Sequence, residues 1–263
     1  ASLRRSRRVP RRQPVLVIRH SFHLSQSNVM SVFRWREKPK WSAGLAAKSR
    51  GLTPDWLRSR YTHIAASHAG RPVDPESYAK RGLVPLNYEE SCREAVRLFS
   101  SVPADRVVAA CREIGPDLRS GRVFLSIDAR NLSKYCGHYL LSGSEFLGGV
   151  AAELEGAGFI APREVLRARG IPTIVECHIP VEWLSDEEAG WVVDDMVRDA
   201  NRGSSIAGEL DHTITLRRAV PSDLVRRHWH PRAIHDPHGG FRRILTPKPL
   251  GCSWCGSTRG TVK

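Results

Sequence analysis

The chain has 263 residues, of which 41% are hydrophobic and 7% aromatic, so it can fold around a core and global disorder is excluded. Its formal charge of +14, from 41 basic and 27 acidic residues, favours polyanionic partners such as nucleic acid, acidic lipid or a phosphate-rich ligand. The sequence contains no run of about 18 apolar residues, which excludes a membrane-spanning helix and predicts a soluble protein without a membrane partner.

The amino-terminal residues are strongly basic. Residues 1–12 hold six arginines and no acidic residue. Charge repulsion, together with the helix breakers Pro10 and Pro14, predicts a disordered arm. The arm could bind nucleic acid, because arginine pairs bidentately with phosphate, or it could be a leader or solubilising tail that has no partner. Residues 1–50 as a whole show no regular period and are predicted to be this arm followed by an adapter segment.

Two further features predict a cytoplasmic protein. The apolar run at residues 14–18 ends at Arg19, before it reaches the roughly 7–15 residues of a secretory signal core. In addition, four cysteines occur singly along the sequence, which is typical of reduced thiols rather than of a disulfide framework. These cysteines are Cys92, Cys111, Cys136 and Cys177.

From residue 52 onward the sequence is more regular. Thr53 followed by Pro54 predicts a helix start, and a short strand follows at residues 62–69. Asp74 as a cap and Gly82 as a terminator predict the next helix. The later pattern predicts, in order, helices at 87–102 and 103–115, a strand at 122–128, a helix or turn at 131–140, helices at 142–158 and 162–170, a strand at 171–184, a helix at 186–203 and a strand at 213–218.

The end of the chain has a different composition. Residues 220–231 are predicted to turn away from the last strand, and residues 231–263, rich in Pro, Gly, His and Arg, are predicted to be irregular. Because short helices come first and strands follow without regular alternation, the fold class predicted is α+β rather than a doubly wound sheet.

Four segments, in order, resemble the ADP-ribosyltransferase superfamily, especially its poly-ADP-ribose-polymerase-like, His-Tyr-Glu branch. The resemblance covers about residues 60–230. The segments are His68-Ala69-Gly70-Arg71-Pro72 with Arg81-Gly82-Leu83; Val123-Phe124-Leu125-Ser126 with Ser133-Lys134-Tyr135-Cys136; the strand IPTIVECHIPVEWL (171–184); and residues 209–215 with 219–225.

This resemblance implies a split mixed or antiparallel sheet with short flanking helices, and NAD as the substrate from which ADP-ribose passes to an unknown macromolecular acceptor. It implies that His68 hydrogen-bonds the adenosine-side ribose, that Phe124 and Tyr135 stack on the nicotinamide, and that Ser126 contacts its carboxamide. Two residues depart from the family pattern, since Gly70 stands where threonine is usual and Phe124 replaces a tyrosine.

The resemblance also implies a catalytic carboxylate that holds the nicotinamide-side ribose and stabilises a ribosyl cation. Glu209 and Asp211 are the candidates, and on a strand they would face the same side. Asp211 is one methylene shorter than the family's glutamate, whereas Glu209 lies farther than usual from the following proline. An inactive relative with a substituted site is the alternative to an active transferase.

A second group of residues suits a metal. His228, His230, Cys252 and Cys255 offer imidazole and thiolate ligands of the kind that zinc prefers, and a Cys-x-x-Cys pair can chelate one tetrahedral edge. His235 lies in the same stretch, but the His-x-His and His-x-x-His spacings found there are not those of a helical zinc finger. The alternative is a flexible basic tail whose histidines are incidental.

The sequence therefore predicts an arm and adapter at residues 1–50, an ADP-ribosyltransferase-like domain at 51–230 and a His/Cys-containing tail at 231–263. The rival function is a non-enzymatic nucleic-acid-binding protein in which the basic arm and the tail make the contacts.

Overall fold

The computed structural model describes residues 30–37, 52–117, 120–202, 213–246, 252, 254 and 255. This part of the chain is α+β, as the sequence predicts. Its strands are β1 (Val32–Phe33), β2 (His63–Gly70), β3 (Val123–Ser126), β4 (Thr173–Pro180), β5 (Thr213–Leu216), β6 (Val225–Trp229), β7 (Ala233–Asp236) and β8 (Arg242–Leu245). Its α-helices are α1 (Pro54–Arg60), α2 (Ser77–Arg81), α3 (Tyr88–Leu98), α4 (Ala104–Ile114), α5 (Ala129–Lys134), α6 (His138–Ser142), α7 (Glu145–Gly156), α8 (Pro162–Ala168) and α9 (Asp186–Arg202).

Six strands form one sheet in the order β5-β3-β2-β4-β6, and β1 pairs in parallel with the beginning of β2. All the other pairings in this sheet are antiparallel. Strand β4 occupies one edge of β2 along the whole length of β2. Strand β1 therefore pairs with the other edge of β2, in line with β3. Strands β7 and β8 form a separate antiparallel hairpin.

The two faces of the large sheet are covered by different helices. The first, called here the α9 face, carries Ile64, Leu125, Val175 and Ile214, which are buried in one apolar cluster with residues of α1 and α9 such as Leu57. The strand β4 supplies Val175, Cys177 and Ile179 to this cluster, as its period of two predicts.

The opposite face, called here the α5 face, carries Ala69, Ile174 and Trp229, which contact apolar residues of α5 and α6. The hairpin β7–β8 covers the same cluster through the fully buried Ile234. A third apolar cluster joins α3, α4, α7 and α8. The described part of the chain therefore contains a sheet covered on both faces and a helical layer packed through its own apolar cluster.

Local signals begin and end several helices where the sequence predicts. The Thr53 hydroxyl accepts a hydrogen bond from the backbone N–H of Trp56, and Pro54 is the first residue of α1. Ser144 caps α7 in the same way, through the N–H of Leu147. Gly82 ends α2 with φ +73°, a conformation that favours glycine.

The structure corrects four predictions. Residues 225–229 form the edge strand β6 rather than turning away, and residues 233–236 and 242–245 of the segment predicted to be irregular form the hairpin. Residues 30–37 of the predicted arm and adapter belong to the folded domain, because Phe33 of β1 is fully buried. Helix α2 begins at Ser77, three residues after the predicted cap Asp74. Residues 1–29 lie outside the described part of the chain.

No helix in the described residues is both long enough and apolar enough to cross a bilayer.

Candidate functional site

The residues selected for NAD binding lie on neighbouring strands but on two sides of the sheet. Ser67 of β2 is opposite Ser126 of β3, which in turn is opposite Thr213 of β5. Opposite residues of an antiparallel pair point to the same side, and successive residues alternate. Phe124 and Ser126 therefore project from the α5 face, whereas His68 projects from the α9 face.

His68 is held against the neighbouring strand. Its Nδ1 lies 3.0 Å from the carbonyl oxygen of Phe124, so Nδ1 carries the proton and donates, and Nε2 keeps a lone pair. Burial lowers the pKa of His68, which favours the neutral ring. Its ring also contacts Tyr78 edge-on, with centroids 6.1 Å apart. A side chain at Gly70, where the family has threonine, would meet the Tyr78 hydroxyl at 2.6 Å.

The other residues predicted to contact NAD lie in different surroundings. Ser126 is buried, and its hydroxyl donates to the carbonyl of Asp128 at 2.9 Å. Tyr135 follows directly after α5, and its ring contacts Phe241 at 6.3 Å and the Lys134 ammonium at 4.8 Å. Glu209 and Asp211 lie outside the described residues, which resume at Thr213.

A pocket of about 330 Å³ opens on the α5 face beside Ala65 and Ser67 of β2. The start of α5 and the short segment after β1 close two of its sides. Its rim is basic, because four arginines and only two acidic residues line it. These charged residues are Arg34, Arg36, Arg226, Arg227, Glu37 and Glu176. We refer to it as the basic-rimmed pocket.

Glu176, on β4, is the buried charge of this pocket. Its Oε1 accepts from Arg34 Nη1 at 2.6 Å and its Oε2 from Arg227 Nη2 at 2.5 Å. Burial alone would raise its pKa, but hydrogen bonds from His178, Arg34 and Arg227 outweigh burial and lower the pKa to about 2. The sequence analysis did not assign this site, although a glutamate within a strand of apolar residues is the signal that could have found it.

A larger cavity of about 1040 Å³ lies between α6–α8 and the hairpin β7–β8. Its arginines and carboxylates are equal in number, and Arg167 is paired with both Glu164 and Asp236. Arg71, in its wall, donates to the main-chain carbonyls of Leu140 and Arg169. His68, Phe124, Ser126 and Tyr135 line neither this cavity nor the basic-rimmed pocket, so the structure does not gather the residues predicted for NAD around either one.

The four metal ligands selected from the sequence meet at the end of β6. The ligand atoms of His228, His230, Cys252 and Cys255 all lie within 4.8 Å of one another. His228 Nε2 is 3.1 Å from Cys255 Sγ and 3.6 Å from Cys252 Sγ. These residues form a candidate metal-binding cluster. His235, from the same stretch, lies instead on β7.

The electrostatics of the cluster follow from its burial. Burial, and then the neighbouring His230, lower the pKa of His228 to about 4. Burial, and then Cys252, raise the pKa of Cys255 to about 11. The imidazole is therefore neutral and ready to donate a lone pair, whereas the thiol stays protonated unless a cation stabilises its thiolate.

Comparisons of this chain with protein-family models, with curated proteins and with solved structures found no match.

Proposed function

We propose that this chain is an NAD-using ADP-ribosyltransferase-like protein that cleaves the nicotinamide–ribose bond and transfers ADP-ribose to a macromolecular acceptor. The observation that carries the proposal is the common direction of Phe124, Ser126 and Thr213, which project from the α5 face of adjacent strands. Thr213 follows the candidate carboxylate Asp211 by two residues in the sequence. Two stretches of sequence that resemble the family thus adjoin one another in the sheet.

The charge of the basic-rimmed pocket supports the same proposal. The pyrophosphate of NAD is anionic, and this pocket has an excess of positive charge beside Ser67. Arg36 and Arg226 are exposed on its rim, where they can meet phosphate oxygens. A volume of about 330 Å³ accommodates one end of a dinucleotide, with the remainder on the surface.

In the proposed reaction, Phe124 and Tyr135 hold the nicotinamide ring by stacking, and Ser126 lies near its carboxamide. The electron pair of the glycosidic bond leaves with nicotinamide, and Glu209 or Asp211 stabilises the positive charge that develops on the ribose. A nucleophile of the acceptor then bonds to the ribose carbon and loses its proton. His68 takes a positioning role, since its ring fixes β3 through the Phe124 carbonyl.

The metal part of the proposal is zinc at the candidate cluster, because two imidazoles and two thiols form a donor set that zinc prefers. The proposal also assigns the chain to the cytoplasm, since the six cysteines are thiols rather than disulfides and a reducing compartment keeps them so.

Release of nicotinamide from labelled NAD tests the enzymatic proposal. We expect release by the wild-type chain, and a loss of roughly a hundredfold or more in rate for the double variant Glu209→Gln, Asp211→Asn, because both changes remove the charge while nearly keeping the shape. The exposed Glu153→Gln is the matched control and should retain the wild-type rate. Unchanged turnover in the double variant would remove these acids from the mechanism.

The pocket is tested separately by arginine substitution. Arg226→Gln should raise the KM for NAD several-fold, because each exposed charge pair contributes up to about 1 kcal/mol. Arg242→Gln, in the wall of the larger cavity, should leave KM unchanged. The reverse result would move NAD to the larger cavity.

Nucleic-acid binding is the outcome that would favour the rival function. A chain without NAD turnover that binds DNA or RNA with a steep salt dependence, and loses this binding when residues 1–14 are deleted, would be a basic binding protein.

A further inference from the structure

We propose that His228, His230, Cys252 and Cys255 bind one zinc ion as a closed structural centre that fastens residues 252–255 to strand β6. This inference rests on the zinc assignment in the proposed function, and it does not depend on turnover of NAD.

The geometry of the donors fits a tetrahedral ion. With ordinary zinc–sulfur and zinc–nitrogen bonds, the edge between an imidazole nitrogen and a sulfur is roughly 3.6 Å. The two nitrogen–sulfur separations at His228 are 3.1 and 3.6 Å, and the longest separation within the set is 4.8 Å. Small side-chain movements therefore bring all four donors to bonding distance of one ion.

His230 is prepared as a ligand by its surroundings. Its Nδ1 lies 2.9 Å from the carbonyl oxygen of Pro172, which accepts a hydrogen bond, so the proton is on Nδ1 and the lone pair is on Nε2. That Nε2 is buried and has no hydrogen-bond partner among the residues that the structure describes. A carbonyl that fixes the ring of a metal-binding histidine is the usual outer partner of such ligands. A cation at Nε2 would use a buried acceptor that is otherwise unsatisfied.

The two cysteines are arranged to chelate. Cys255 donates its backbone N–H to the sulfur of Cys252 at 3.4 Å, which places both sulfurs on one side of a single turn. Cys252 is buried with 6% of its surface exposed. Four protein ligands fill the coordination sphere of zinc and leave no open position, so the centre is structural rather than hydrolytic.

Trp254, between the two cysteines, is the side chain that the zinc centre holds against the sheet. Its ring stacks on His228, with centroids 3.8 Å apart and an angle of 13° between the planes, and it packs against the α9-face cluster. Through Cys252 and Cys255 the ion ties this tryptophan to the edge strand β6. Because His230 also lines the cavity of about 1040 Å³, the same ion stabilises one wall of that cavity.

The test uses the full chain, purified without chelator. We expect one zinc ion per chain by elemental analysis, and a tetrahedral cobalt(II) spectrum with sulfur charge-transfer bands after exchange. The double variant Cys252→Ser, Cys255→Ser should bind zinc at least about tenfold more weakly, because it removes two ligands. Cys136→Ser, which changes a cysteine outside the cluster, is the control and should keep one ion.

Three results would overturn the proposal: zinc well below one ion per chain, zinc retained by the double variant, or an octahedral cobalt spectrum. If the double variant fails to fold, titration of the wild type with a mercurial thiol reagent decides the matter, since zinc should be released in step with two reacted thiols. Removing zinc should also change the environment of the Trp254 ring, which stacks on His228. Nicotinamide release, measured on the same preparation, separates failure of the transferase proposal from failure of the zinc centre.

Discussion

The buried Glu176 gives a prediction whose size follows from the structure. The residue is 6% exposed, and its carboxylate is held by Arg34 and Arg227 on the α5 face. The change Glu176→Gln keeps the shape but removes the anion that Arg227 and Arg34 share, and leaves Arg34 its longer contact with Glu37 at 3.8 Å. Breaking a buried pair in this way costs about 3–5 kcal/mol, and because the Arg227 side chain is 58% exposed and can turn to water, we expect about 2–3 kcal/mol at pH 7.

The pH dependence gives the sharper form of this prediction. The pKa of Glu176 is lowered from 4.5 to about 2 on folding, so its contribution is complete above the unfolded pKa and is lost as pH falls towards 2. Each unit is about 1.4 kcal/mol, so the full contribution is about 3 kcal/mol, of which about 2 kcal/mol disappears between pH 7 and pH 3. Urea unfolding at both pH values should show that the gap between wild type and Glu176→Gln narrows by this amount.

The control is Glu113→Gln, which removes an exposed carboxylate and should change the free energy of unfolding by less than about 0.5 kcal/mol at either pH. If Glu176→Gln and wild type lose stability in parallel from pH 7 to pH 3, Glu176 is not held ionised by its arginines and the reasoning fails.

Two further predictions concern packing. Gly137→Ala would set a Cβ 2.0 Å from the carbonyl oxygen of His235 in β7, so we expect a loss of about 1–3 kcal/mol in urea unfolding. In Gly156→Ala the new Cβ would meet no atom of the described residues within 4 Å outside its own helix, so this change should be neutral or slightly stabilising. Equal effects of the two changes would contradict the close approach at Gly137. Burial raises the pKa of both Cys111 and Cys177 to about 12, so neither thiol should react with iodoacetamide at pH 8 in the folded chain. Both should be alkylated in urea, and peptide mapping measures the difference. Labelling of either residue in the folded chain would show that these thiols are accessible.

The sequence predicted the metal cluster better than any other site because its signal is local. Cys252 and Cys255 lie three residues apart, and His228 and His230 lie two apart at the end of β6, so each pair is set by short-range geometry. Only the meeting of the two pairs required the fold.

The missed elements depend on distant partners instead. Strand β6 has two exposed and three half-buried residues with no alternating pattern, and it is a strand because it pairs with β4. Four of the eight residues in strands β7 and β8 are apolar, and Ile234 is the one fully buried side chain among these eight. Neither pairing can be read from local propensity.

The arrangement of the predicted NAD residues was beyond the sequence for a related reason. The sequence predicted strands at 122–128 and 213–218, and strands β3 and β5 lie there. The face of the sheet from which each side chain projects, however, is set by the register between strands. A single opposite pair, Ser67 with Ser126, puts His68 on the other side of the sheet from Phe124. The ion pairs of Glu176 likewise join residues that are far apart in the chain.

The pairing of β2 with β4 has a consequence for how the protein is made. The two strands are matched along their whole lengths, from His63 opposite Pro180 to Gly70 opposite Thr173, although about 100 residues separate them. During synthesis, β2 therefore leaves the ribosome long before its partner exists. Until β4 follows, β2 can pair with β1 and β3 on its other edge, but the edge that β4 covers in the folded chain stays open to wrong pairing.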